Sequence, residues 1–203
     1  MLRYILLFAL FASATVHAQT ARQQLTQFGQ GLKSASTSFR QVLTGPNGEK
    51  SQSAQGRLEM QAPDRFRWEY TAPAQQLIIA DGRQIIIYEP DLKQVTIKPQ
   101  DTLNQDNPLS IISRPELLER FYAVSDLPTK QGLNWLQLLP KNKESSPFDK
   151  AWLGFDADGL RSMRLFDNLG QVSEFTFGIW QRNGKINPNR FELKAPQAVD
   201  IAQ

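Results

Sequence analysis

Through most of this chain hydrophobic and polar residues alternate one by one. In PDRFRWEY (63–70) Phe66, Trp68 and Tyr70 fall on one side, and Arg65, Arg67 and Glu69 on the other. Successive side chains of a strand point to opposite faces, so this stretch predicts a strand with one aromatic and one charged face. The same period predicts strands at 36–44 and 51–61, a hairpin around the turn signal GPNG. It continues at 65–70, 76–80 and 84–89, the last two joined through Asp81-Gly82, and at 94–98 after Pro90-Asp91. Further strands are predicted at 121–126, 133–139, 150–156, 160–166 and 171–180, with RFELKAP (190–196) closing the chain. Turns at 140–147, 156–159, 167–170 and 182–189 separate them at the spacing of an antiparallel meander.

Two regions break the alternation. Leu25, Phe28 and Leu32 recur at helical spacing and predict an amphipathic helix over 21–34, in spite of Gly29 and Gly31. In 107–120, Asn107 is a cap and Pro108 suits a first helical position, with Leu109, Ile112 and Leu117 as the apolar residues. Pro115 cannot lie inside one helix, so two short helical pieces are predicted there. The pattern gives a mainly β, α+β chain: one domain with a large curved antiparallel sheet or partial barrel, and two helical regions over its concave side.

The aromatic stripe recurs in SEFTFGIW, where Phe175, Phe177 and Ile179 share a face opposite Glu174, Thr176 and Gly178. Two readings stay open. The stripes fill an ordinary core under the helices, or they line an apolar space left for a ligand; barrels of this size do either.

Composition narrows the chemistry. MLRYILLFALFASATVHA has a basic start at Arg3, an apolar run from Tyr4 to Phe11 and small residues ending at Ala18. That is the pattern of a cleavable secretory signal peptide over 1–18, leaving 19–203 as the exported domain. The apolar run is shorter than the ~20 residues a spanning helix needs. The chain has no Cys, so no lipid-anchored cysteine follows the cleavage point, and its one His is His17 inside the leader. Ser-His-Asp and Cys-His catalysis and ordinary zinc sites are therefore excluded from the exported part. The net charge of +3 is interspersed, without the Lys/Arg blocks of a nucleic-acid partner. Asp81, Asp156, Asp158 and Asp167 sit in glycine-containing turns, where Asp is favoured for backbone reasons. DADG (156–159) lacks the further ligands of a calcium loop, and nothing marks two acids as a glycosidase pair. No catalytic residue, metal or cofactor is predicted.

An ordered series of short matches then runs along the chain: Ser38-Phe39-Arg40-Gln41, Gly56-Arg57-Leu58, Pro63 with Phe66-Arg67-Trp68, Ala80-Asp81-Gly82, Tyr88 and Pro90, Asn107-Pro108-Leu109, and Phe191 through Pro196 to Val199. In these the chain resembles the LolA family of periplasmic carriers of outer-membrane lipoproteins. The resemblance implies a soluble, monomeric, non-enzymatic carrier: an incomplete barrel under a lid of short helices, with an apolar cavity for lipoprotein acyl chains. It implies a cavity lined by Phe66, Trp68, Tyr70, Ile79, Ile87, Leu109, Ile112, Phe175 and Phe177. The implied partners are lipoproteins bound for the outer membrane, the inner-membrane ABC exporter LolCDE as donor and the receptor LolB as acceptor. A related β-sheet lipid binder, a LolB-like receptor or an envelope-stress sensor domain, is the alternative. The family's basic residue before the proline, which latches the lid, is here Ala62; either Arg65 or Arg67 takes that part or the lid is held more loosely, and no latch residue is assigned.

Overall fold

In the computed structural model, residues 19–100, 108–144, 146–194 and 200–202 are described. The leader, Asn107 and the 195–199 part of the closing motif lie outside that set. The strands are β1 (Ser34–Thr44), β2 (Lys50–Gln61), β3 (Arg65–Ala72), β4 (Gln76–Ala80), β5 (Gln84–Glu89), β6 (Gln94–Pro99), β7 (Tyr122–Lys130), β8 (Leu133–Pro140), β9 (Lys150–Asp156), β10 (Gly159–Phe166), β11 (Val172–Phe177), β12 (Gln181–Arg182) and β13 (Asp200–Ala202). All belong to one sheet, ordered β13-β6-β5-β4-β3-β2-β1-β11-β10-β9-β8-β7, with β12 paired to the start of β1. Among the described residues every pairing is antiparallel except the short β13 beside β6. β7 and the β13–β6 side are not joined among the described residues, so the sheet does not close.

The sheet is strongly curled, and one distance shows it. Trp68 on β3 and Phe175 on β11 are three strand steps apart, which is about 14 Å in a flat sheet at ~4.8 Å per step. Their ring centroids are 5.2 Å apart. Inward-facing residues of strands from β3 to β10 accordingly meet in one large apolar cluster with the helices.

Among the described residues three short helices lie on that inner side: α1 (Ala21–Gly29), α2 (Ser110–Ser113) and α3 (Leu118–Phe121), with a 3-10 turn at Pro115–Leu117. Thr20 caps α1 in a capping box with Gln23. Ala21, Gln24, Leu25 and Phe28 form its buried face over β8, β9 and β10. The helix stops at Gly29, earlier than the predicted 34, because Gln30 is extended and Gly31 takes φ +65°. Pro115 divides α2 from α3, as its ring requires.

Two predicted ends differ. β11 leaves the sheet after Phe177, so Ile179 is 80% exposed and does not continue the Phe175–Phe177 face. The predicted strand at 190–196 is, over its described residues, a 3-10 turn (Pro188–Phe191) followed by irregular chain. Its alternation is genuine, since Phe191 and Leu193 both pack on a second apolar cluster, but no described strand pairs with it.

Candidate functional site: the inner face and its mouth

The alternation of β3 delivers Phe66, Trp68 and Tyr70 to the inner face, opposite Met60, Leu58 and Gly56 of β2. Gly56 is needed there. A Cβ on it would lie 1.9 Å from the Glu69 carbonyl oxygen and 2.7 Å from the Phe39 ring. The space it leaves lets Phe39 sit 4.8 Å from Trp68 and 5.1 Å from Tyr70. From Trp68 the rings continue through Phe175, Phe177 (6.5 Å, stacked) and Trp180 (5.5 Å) to Phe28 on α1 (5.3 Å). An unbroken aromatic line thus runs from Tyr70 to the underside of the lid.

The lid is held by a few polar contacts around this apolar contact area. Arg182 donates to the Phe28 and Gln30 carbonyls and lies over the Phe28 ring. Gln24 donates to the Asp156 carbonyl, and Asn134 donates to Gln24. Arg22 pairs with Glu119, linking α1 to α3. Gly29 allows α1 to cross α2 closely, for a Cβ there would meet Pro115 at 2.6 Å and the Ile112 carbonyl at 2.7 Å. At Ala62-Pro63, Ser113 Oγ on α2 donates to the Pro63 carbonyl at 3.0 Å. Arg67 does not reach the lid. It lies on the outer face, bonded to Glu69 and to the Arg190 carbonyl.

Space on the inner side is uneven. Beneath the lid edge a cavity of only about 30 Å³ lies among Leu58, Met60, Phe66, Leu109, Ser113 and Arg114. At the other end of the strands a mouth of about 430 Å³ opens among Gln41, Leu43, Gln52, Tyr70, Gln76 and Glu89. Burial pushes the Tyr70 phenol up to about 12. The Trp68 N–H counters this rise but makes no hydrogen bond of normal geometry.

Eight of the nine predicted lining residues fall on the inner side. Trp68, Leu109, Ile112, Phe175 and Phe177 are buried in the large cluster, and Phe66 and Tyr70 pack half-buried against it. Ile87 is placed inward by its pairing with Ile78. Ile79 is a correction. Trp68 pairs with Ile78, so Ile78 points inward and Ile79 points outward with Arg67. Ile79 is fully buried, but in the outer cluster with Ile86, Val95 and Phe191. Sequence reasoning missed Phe28, Phe39 and Trp180, the rings that complete the line. Glycines opposite aromatics were the available signal, since Gly56 makes room for Phe39 and Gly159 for Phe28.

The outer face carries a separate strap. Arg190 bonds Glu59 (2.8 Å) and Glu69 (3.2 Å), and Arg67 bonds Glu69 (3.1 Å). The Arg67 hydrogen bond, with Arg190 beside it, holds the Glu69 carboxyl below its ordinary value despite its partial burial.

Comparison with known proteins agrees with this architecture. Residues 30–194 match the family described as outer membrane lipoprotein carrier protein LolA. An outer-membrane lipoprotein carrier protein of Xanthomonas oryzae pv. oryzae is 40% identical over 202 residues, covering 98% of this chain and 96% of that one. One from Methylobacillus flagellatus is 35% identical over 179 residues, covering 88% and 87%. Among solved structures, an uncharacterized conserved protein from Thermus thermophilus shares the fold at a TM-score of 0.53 and 14% identity, over 91% of this chain and 99% of that one. The chain belongs to the LolA family of outer-membrane lipoprotein carriers.

Proposed function

We propose that the exported part of this chain, freed of residues 1–18, carries lipoproteins through the periplasm with their acyl chains against the inner face. The observation that carries the proposal is the aromatic line running from an open mouth to the underside of a lid held by few polar bonds. Each buried methylene is worth about 0.8 kcal/mol, so stranding two or three acyl chains in water costs tens of kcal/mol. Apolar contact meets that cost without directional bonds and leaves release open to a more apolar acceptor.

Phe66, Trp68, Tyr70, Ile87, Leu109, Ile112, Phe175 and Phe177 are the proposed lining. The space under the lid, about 30 Å³, is far too small for an acyl chain, so cargo enters by displacing the lid from these residues. Donation by the exporter LolCDE and acceptance by the receptor LolB are part of the proposal. The test is to incubate the purified protein with cells stripped of their outer membrane. Lipoprotein should appear in the supernatant as a one-to-one complex and then insert into added outer membranes. Lipoprotein that stays at the inner membrane regardless of added protein would overturn the reading.

A further inference from the structure

Along each strand, polar residues enter the inner-facing series toward the mouth, at neighbouring register levels rather than one. On β1 they run Ala35, Thr37, Phe39, Gln41 and Leu43; on β2, Met60, Leu58, Gly56, Ala54 and then Gln52. β3 ends its inner series at Tyr70, which pairs with Gln76 of β4 after Ile78 and Ala80. On β5, Ile85 and Ile87 are followed by Glu89. Chain neighbours on a face are two residues apart, so Gln41, Gln52, Gln76 and Glu89 share the face of the rings and, with Leu43 and Ala54 between them, line the mouth. They form a rim around the mouth, and two contacts orient it. Gln76 Nε2 donates to Glu89 at 3.2 Å, and Gln41 Nε2 donates to Ser173 Oγ at 3.3 Å.

We infer that this rim is a binding site for the uncharged junction of the cargo, where the acyl chains join the glyceryl-modified cysteine and the first peptide units. That inference rests on the carrier reading and locates the polar end of the same ligand. Such a junction offers ester and amide carbonyls as acceptors and peptide N–H groups as donors. Glutamine amides donate and accept, and the Tyr70 hydroxyl, whose ionisation burial pushes up to about 12, does both as well. Glu89 accepts only, which suits a peptide N–H and disfavours an anionic headgroup. Chains seated along the rings below would place this junction at Tyr70, the last ring of the line.

The test compares two synthetic lipopeptides that differ only at the junction, one with ester-linked palmitoyl chains and one with ether-linked hexadecyl chains. Their apolar parts match, but the second lacks the ester carbonyls. The wild-type protein should bind the ester form roughly five- to tenfold more tightly, the size of one or two net hydrogen bonds. Gln41→Leu with Gln76→Leu should bring the ester-to-ether affinity ratio to about one, with the melting temperature close to wild type, and a ratio that stays at the wild-type value overturns the rim site. Equal wild-type affinity for both lipopeptides overturns the rim site and leaves the carrier reading standing. Binding of neither overturns the carrier reading, and the rim with it.

Discussion

The inner side of the sheet is covered by α1, which lies over β8 to β10, and by α2 packed beside it, whereas the outer face of β3 is covered by the turn at Pro188–Phe191. The inner cluster is large, aromatic and edged by a mouth of about 430 Å³. The outer one is small, built around Ile79, Ile86, Val95 and Phe191. Their fastenings differ more than their sizes. The outer cover is tied by Arg190 to Glu59 and Glu69, with Glu59 almost wholly buried. The inner cover is tied mostly by single bonds to backbone carbonyls, such as Ser113 to Pro63 and Arg182 to Phe28. Losing Arg190 takes the nearer of two cations from the largely buried Glu59 carboxylate, while a single bond to a backbone carbonyl at the lid costs less to lose. One face is built to stay shut and the other to open.

The largest test of that contrast is Phe191→Ala. Phe191 is 1% exposed in the outer cluster, and its truncation should cost about 3–5 kcal/mol. Denaturant unfolding should show that loss, while the folded fraction still takes up lipoprotein normally. A protein destabilised by this amount that also fails to carry cargo when folded would mean the two faces are coupled.

Phe66→Glu comes next and acts on the inner side. Phe66 is half-buried and borders the 30 Å³ cavity that Arg65 and Arg114 also line. Water and those cations soften the burial of a carboxylate, so a stability loss of about 1–3 kcal/mol is expected rather than unfolding. Cargo transfer should fall at least tenfold. Normal transfer by a stable variant would remove the aromatic face from the binding site.

Smaller still is Gly29→Ala. The added methyl meets the Ile112 carbonyl and Pro115, so α1 and α2 must separate slightly, at about 1–2 kcal/mol. Lid loosening should raise binding of an environment-sensitive apolar dye, with little change in the outer strap. Unchanged dye binding would show that the α1–α2 crossing does not govern access.

The two faces also differ in how legible they were. Strand positions followed from alternation because β1, β3 and β8 to β10 each have one face richer in polar residues. Asp81, Asp156 and Asp167 marked turns for the reason expected: each carboxylate accepts backbone N–H groups two to four residues on. In QLIIA and QIIIYE both faces are apolar, because the inner and outer clusters meet across β4 and β5. With no polar side to break the symmetry, period two cannot say which isoleucine points inward. Ile79 and Ile78 are therefore exchanged relative to expectation. The strap is a further case. Alternation at Phe191 and Leu193 signals burial on one side, but a segment lying across a sheet satisfies that as well as a strand within it.

The smallest effect lies in two adjacent residues that face opposite ways. Glu69 points outward to Arg67 and Arg190, and its folded carboxyl titrates below its ordinary value. Tyr70 points inward, and burial raises its phenol to about 12. For Glu69 the stabilisation is fully present above the unfolded carboxyl value near ~4.3 and is lost as pH falls through the lower folded value. For Tyr70 nothing changes until the unfolded phenol ionises near ~10; above that, stability declines as pH rises, and the decline ends near the folded value. Urea midpoints followed from pH 3 to 5 should fall less steeply on acidification in Glu69→Gln than in the wild type. Absorbance of the folded protein near 295 nm should show one phenol ionising about two pH units late, absent in Tyr70→Phe. A Tyr70 that ionises near ~10 in the folded protein would mean the rings around it admit water freely, and the inner face would then be open even without cargo.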